Sequence, residues 1–250
     1  MKALFYCLTT LLLIHACTQP QEQQPSLITG PSIPMGSGKA NAWVKLDNRG
    51  NPASLGFTLS KGAIYNLPTT AAAGEYMLAL PDQATQKTPF RHIMINWNPT
   101  GHEPKGIYDV AHFDLHFYLV PMNEVMSIPT YDKAKNQFDK NPAPEYLPVG
   151  FIKNPGGVPA MGAHWSDGSS PEFKGQPFTE TFVFGTYDGK VTFWEQMVAM
   201  SFLKTGPSFD KAIAQPVRYA KPGNYPTRYS IRTNADGSYE VALSQFVSRP

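Results

Sequence analysis

GIYDVAHFDLHFYLV, residues 106–120, decides the fold. Its aromatic and branched residues alternate: Phe113, Leu115, Phe117 and Leu119 fall on one parity, and His112, Asp114 and His116 on the other. A period of two belongs to a β-strand, whose successive side chains point to opposite faces. The spacing predicts a strand over 107–119 with an apolar core face and a polar second face. A helix would bring His112 and His116 together, but it would scatter the aromatic residues around its circumference.

Outward from this strand the pattern repeats. NAWVKLD (41–47) and ASLGFTLS (53–60) flank the glycine-containing loop NRGNP and predict a hairpin. HIMINWN (92–98) is a strand closed by Asn98-Pro99. TETFVFGTY (179–187) and KVTFWEQMV (190–198) flank Asp188-Gly189, the strongest short-range hairpin signal. TRYSIRT (227–233) and SYEVALSQF (238–246) flank a turn at 234–237. Helical signal is confined to MNEVMS (122–127), YDKAKNQFDKN (131–141) and SFDKAIAQ (208–215). With 24 prolines, long helices are disfavoured. The expected fold is mainly β, an antiparallel sandwich or barrel with a few short helices and long loops, formed by one domain over 39–250.

The N-terminus reads as an export signal. Lys2 precedes an apolar run from Ala3 to Ile14, about the length of a signal-peptide core and too short for a membrane span. Ile14-His15-Ala16-Cys17 resembles the lipobox of bacterial lipoproteins. That resemblance implies cleavage after residue 16, a lipid on Cys17, and membrane attachment through that lipid. Thr18 in place of aspartate points to the outer membrane, facing the periplasm. Residues 17–38 then form a lipidated N-terminus and a flexible tether.

Composition excludes several classes. Net charge is +2 and only 16% of residues are charged, with no basic run dense enough to follow a phosphate backbone, so nucleic acid is not an expected partner. The two cysteines are Cys7, in the removed segment, and Cys17, so the mature domain has no thiol for a disulfide, nucleophile or metal. G-x-S-x-G, GK[ST], H-E-x-x-H and G-x-G-x-x-G are absent, and no nucleotide or organic cofactor is expected. Asp167-Gly168-Ser169-Ser170 lacks the ligand series of a calcium loop and reads as a plain turn.

What remains is histidine and carboxylate chemistry. His102, His112, Asp114 and His116 lie within 15 residues of one another, and His164 is expected in a separate glycine-rich loop that begins with NPGGVPA (154–160). On a straight strand His112 and His116 are about 13 Å apart at Cα, and neighbours on one face about 7 Å. With nitrogen–zinc bonds of about 2.0–2.1 Å, those two histidines cannot share an ion unless the strand is bulged. Asp114 with one adjacent histidine can, and so can His116 with ligands from elsewhere. A two-residue turn at Asp188-Gly189 pairs Glu195 with Phe182. It sets Glu195 on one face with Val191, Phe193, Met197 and Phe184, where a carboxylate is costly unless paired or metal-bound. The bland alternatives are a solvated face at 112–116, with Asp114 bonded to its histidine neighbours, and a Glu195 that reaches solvent or a lysine.

WNPTGHEPKGIYDVAHFDLHFYLVP (97–121), PGGVPAMGAHW (155–165) and FTETFVFGTYDGKVTFWEQMV (178–198) together resemble a family of exported bacterial proteins of unknown function, typified by a ring-forming Thermus protein. The resemblance spans about residues 40–245 and is most specific at 102–118. It implies a β-rich fold and self-association into a homo-oligomer, and it implies no activity. Two functions follow as expectations. One is a cell-envelope lipoprotein that binds zinc, manganese or iron through residues drawn from His102, His112, Asp114, His116, His164 and Glu195. The other is a non-enzymatic binding or scaffold protein with structural histidines.

Overall fold

The computed structural model describes residues 24–70 and 74–250, so the expected export signal and Cys17 lie outside the described residues. Thirteen strands form two antiparallel sheets. The first contains β1 (Ser26–Met35), β2 (Gly38–Leu46), β3 (Pro52–Leu59), β11 (Ser208–Ala212), β12 (Gly223–Thr233) and β13 (Tyr239–Arg249), in the order β1-β2-β3-β13-β12-β11. The second contains β4 (Glu75–Ala79), β5 (His92–Asn98), β6 (His112–Tyr118), β7 (Phe151–Lys153), β8 (Ala163–Asp167), β9 (Glu180–Tyr187) and β10 (Lys190–Ala199), in the order β4-β5-β6-β10-β9-β8-β7. Neither sheet closes on itself, so the fold is a sandwich and not a barrel. Four short helices, α1 (Asp82–Lys87), α2 (Met122–Met126), α3 (Lys135–Asp139) and α4 (Met200–Leu203), sit in the connections.

The inner faces of the two sheets form the main core. Phe113, Leu115 and Phe117 of β6 and Trp194 of β10 meet Phe57 of β3 and the inward residues of β12 and β13 in one apolar cluster. Aromatic pairs bridge the sheets: Phe57–Phe117, with ring centroids 6.1 Å apart, Phe182–Tyr229 at 5.0 Å and Trp194–Tyr225 at 5.9 Å. This is the alternation of β6 converted into packing, since residues of one parity supply the sandwich interior.

The other parity is also buried, and here the alternative of a solvated outer face fails. His112 and His116 are fully buried and Asp114 is 5% exposed. Long connections fold over this face and add a third layer. Tyr108 and Phe178 pack with Val183 and Met197, and Val120 and Val125 pack with Tyr118 and Phe193. β6 keeps the polar alternation of a half-exposed strand although both its faces are buried, so its pattern alone could not show the second interior.

Four further local readings are corrected. The supposed tether contains β1, an edge strand paired with β2 and bulged between Thr29 and Ser32. Its prolines masked it, yet an edge strand is where proline is tolerated. SFDKAIAQ forms β11 and no helix, because Ser208–Ala212 completes the edge of the first sheet against β12. The strand predicted over 107–119 is shorter, 112–118, because the segment before it turns back at Gly101 and Gly106, both with positive φ. His164 lies on β8 and not in a loop.

Candidate metal centre

The third layer borders an open cavity of about 530 Å³ above the outer face of the second sheet. Six side chains from three strands, β6, β8 and β10, and one loop cluster at its floor, where His102, Asp114 and His164 line it, and they fall into two groups. His102, His112 and Asp114 form one, and His116, His164 and Glu195 the other; in each group three ligand atoms lie within 4.8 Å of one another. Each holds two histidines and one carboxylate. His112 and His116 fall in different groups, as the strand spacing requires.

The second group is built by strand register. His116 on β6 lies directly opposite Glu195 on β10, with Nε2 3.6 Å from Oε2. His164 reaches the same oxygen from two strands away, its Nε2 at 3.7 Å. It crosses β9 at Gly185, its paired residue. A Cβ there would stand 2.0 Å from the Phe193 ring, so only glycine lets that ring lie across β9 beneath the imidazole, centroids 5.1 Å apart.

The register of Glu195 also corrects an expectation. The Asp188-Gly189 turn is present, with φ of 48° and 76°. A bulge between Val191 and Phe193 then shifts the pairing by one, so Glu195 faces Val183 and not Phe182. Phe193 and Met197 share its face, whereas Val191 and Phe184 turn to the sandwich core.

Glu195 is 1% exposed, and its Oε2 and both nitrogens of His116 have no hydrogen-bond partner among the described residues. Burial, followed by the nearby Asp114 charge, pushes the Glu195 carboxyl well above its usual range. Burial likewise pulls His116 down to about 3 and His164 down to about 4. Both imidazoles are therefore neutral at pH 7 and carry the lone pairs a metal needs, while the carboxyl lacks a counter-charge.

The first group is arranged differently. The loop at 101–111 folds back because Gly101, with φ of 73°, brings its backbone within a Cβ's reach of the Tyr108 carbonyl, and the His102 amide donates to that carbonyl at 3.0 Å. His102 then sits over Asp114, its Nε2 3.2 Å from Oδ2, while Nδ1 donates to the Glu103 carbonyl at 2.6 Å. His112 Nδ1 donates to the Val110 carbonyl at 2.7 Å, and its Nε2 stands 3.1 Å from Asp114 Oδ1. Asn98 Nδ2 donates to Asp114 Oδ2 at 2.7 Å. Burial alone would raise the Asp114 carboxyl, but His112 and His102 together outweigh it and hold it well below the ordinary range. Burial opposes protonation of His102 too, and there the Asp114 contacts win and raise it.

Asn96 and Asn98 escaped the sequence reading, as did Tyr108, whose hydroxyl donates to the buried Glu172 at 3.1 Å. Asn96 and Asn98 were readable only as strand residues; their role appears when β5 is laid beside β6, with Asn96 opposite Asp114 and Asn98 opposite His112. The arrangement can hold a divalent cation in a site poor in water, next to a cavity large enough for a small molecule.

No curated protein and no solved structure matches the chain. One family model does, in a stretch that takes in β3, β4 and most of β5, precedes all six candidate ligands, and lies outside the 102–118 segment where the resemblance was most specific. Over residues 47–97 the chain matches the TTHB210-like family, described as hypothetical protein TTHB210, a family of unknown function.

Proposed function

We propose that this chain is a metal-binding lipoprotein of the cell envelope, with one divalent ion held by His116, His164 and Glu195. The observation that carries the reading is the buried Glu195 carboxyl, which faces two neutral imidazoles and makes no hydrogen bond through Oε2. An unsatisfied buried polar group costs about 1–3 kcal/mol, and a cation among these three atoms removes that cost. Ligands bonded at about 2.0–2.2 Å to one ion stand about 2.9–3.4 Å apart, so a contraction of a few tenths of an ångström from the present 3.6–3.7 Å closes the site. Nitrogen and oxygen donors without sulfur suit zinc, manganese or iron. Two histidines and one carboxylate leave coordination positions free, which permits metal-assisted hydrolysis or oxygen chemistry on a molecule in the cavity.

The envelope location rests on the Ile14-His15-Ala16-Cys17 lipobox, and self-association rests on the family resemblance. The metal reading is tested by melting the untagged protein with and without a chelator. Metal bound only to the folded state raises the melting temperature by mass action, so chelation lowers it. A melting temperature unmoved by chelation and by added zinc, manganese or iron would favour the scaffold reading, with structural histidines.

A further inference from the structure

We infer that His102, His112 and Asp114 form a second cation site, separate from the one at Glu195 and bordering the cavity. The argument rests on which nitrogen of each ring carries hydrogen. A carbonyl oxygen only accepts, so the contacts of His102 Nδ1 with Glu103 and of His112 Nδ1 with Val110 place an N–H on Nδ1 in both rings. In the neutral ring Nε2 is then a bare lone pair. Both Nε2 atoms stand close to one carboxylate, at 3.2 Å from Oδ2 and 3.1 Å from Oδ1 of Asp114. Two lone pairs facing an anion repel it unless something positive lies between them.

His102 stands at the edge of the cavity with its side chain 40% exposed. The contact at His112 is the more telling. The ring is fully buried, and although its Nε2 lies 3.1 Å from Asp114 Oδ1, the two atoms are not aligned for a hydrogen bond; both lack a partner among the described residues. Close approach without alignment is the geometry of two atoms directed at a common third point. The separations of 3.1 and 3.2 Å fall within the span of about 2.9–3.4 Å expected for ligands of one ion. The surroundings match as well. Ligating histidines usually donate their second ring N–H to a carbonyl or carboxylate, which fixes the ring. Both histidines here do so, and Asn98 fixes the carboxylate through Oδ2. His102 and Asp114 line the cavity, so an ion held by them has access to whatever enters it. The donor set selects the same class as the deeper site, a divalent ion that accepts imidazole and carboxylate.

This inference does not need the Glu195 site, and cobalt(II) titration of the metal-stripped, untagged protein separates them by stoichiometry. Wild type takes up two cobalt ions per chain, and Asp114→Asn, which keeps shape and loses charge, takes up one. His102→Gln, on the partly exposed loop, also falls to one, which guards against an Asp114 variant that fails to fold. Glu195→Gln falls to one as well if the deeper site exists. One ion in wild type that survives in both Asp114→Asn and His102→Gln overturns the second site and leaves the Glu195 reading standing. One ion that survives in Glu195→Gln and vanishes in Asp114→Asn does the reverse. No uptake by wild type overturns both.

Discussion

Replacing Glu195 by glutamine keeps the volume and removes the charge. Burial pushes the metal-free carboxyl toward its neutral form, so Glu195→Gln should leave the melting temperature of chelated protein within about 3 °C of wild type, a change below about 1 kcal/mol. It should abolish the part of the melting temperature that chelation removes. A variant that loses stability equally with and without chelator would assign Glu195 a purely structural role. His92 gives a separate test of burial. It is 4% exposed and stacks on Tyr118 with centroids 4.6 Å apart, and burial pulls it to about 4 from an ordinary 6.5. Between those values the unfolded chain takes up a proton that the folded chain refuses, so stability falls as pH drops from 6.5 toward 4. In metal-free protein His116 and His164 act in the same direction, and the raised Glu195 opposes them. The melting temperature of chelated protein should therefore fall with acid over this window, and less steeply in His92→Phe; an unchanged slope would tell against a buried neutral His92. At this scale the sequence was informative about ligand types and poor about their supports. Glu195 was marked by its apolar strand neighbours Phe193 and Met197, whereas nothing in HIMINWN set Asn98 apart as the donor that steadies Asp114.

The hairpin of β9 and β10 carries the deeper site, and it depends on two glycines. Gly189, with φ of 76° beside Asp188 at 48°, makes a turn that a β-branched residue resists. Gly189→Val should cost about 1–3 kcal/mol in urea unfolding, and an unchanged midpoint would contradict the turn. Gly185→Val should do more, because its Cβ would stand 2.0 Å from the Phe193 ring on which His164 rests. It should lower stability by about 2 kcal/mol or more and weaken metal binding at least tenfold. Retained affinity in a folded Gly185→Val variant would show that His164 does not need this path. The turn was legible because Asp-Gly is a local signal. The bulge between Val191 and Phe193 was not, because it answers to packing against β6 and β9, and it moved Glu195 from Phe182 to Val183. β1 and β11 were missed for a different reason. Both are edge strands, and Ser26–Met35 and Ser208–Ala212 have too little hydrophobic periodicity to mark them as strands, although each pairs with the next strand in the chain.

Across the whole molecule, the sandwich was legible from alternating strands and dense turn signals, but its third layer was not. Covering the outer face of the second sheet requires the connections at 99–111, 119–150, 154–162 and 168–179, whose glycines and prolines show only that they turn. That layer converts a polar strand face into two buried clusters bordering a cavity. Export is tested on the chain as synthesised: Cys17→Ser should abolish fatty-acid labelling and release the protein from the membrane fraction. A mature N-terminus other than residue 17, with no label taken up by wild type, would remove the envelope assignment. The central claim is that the buried histidine and carboxylate groups hold metal, and the most direct measurement is elemental analysis of mature protein isolated without a histidine tag. Zinc, manganese or iron should be present at about one ion per chain or more, and a His116→Ala, His164→Ala double variant should lose one ion per chain. Wild-type protein that contains none of these metals and takes up none when they are added would contradict it.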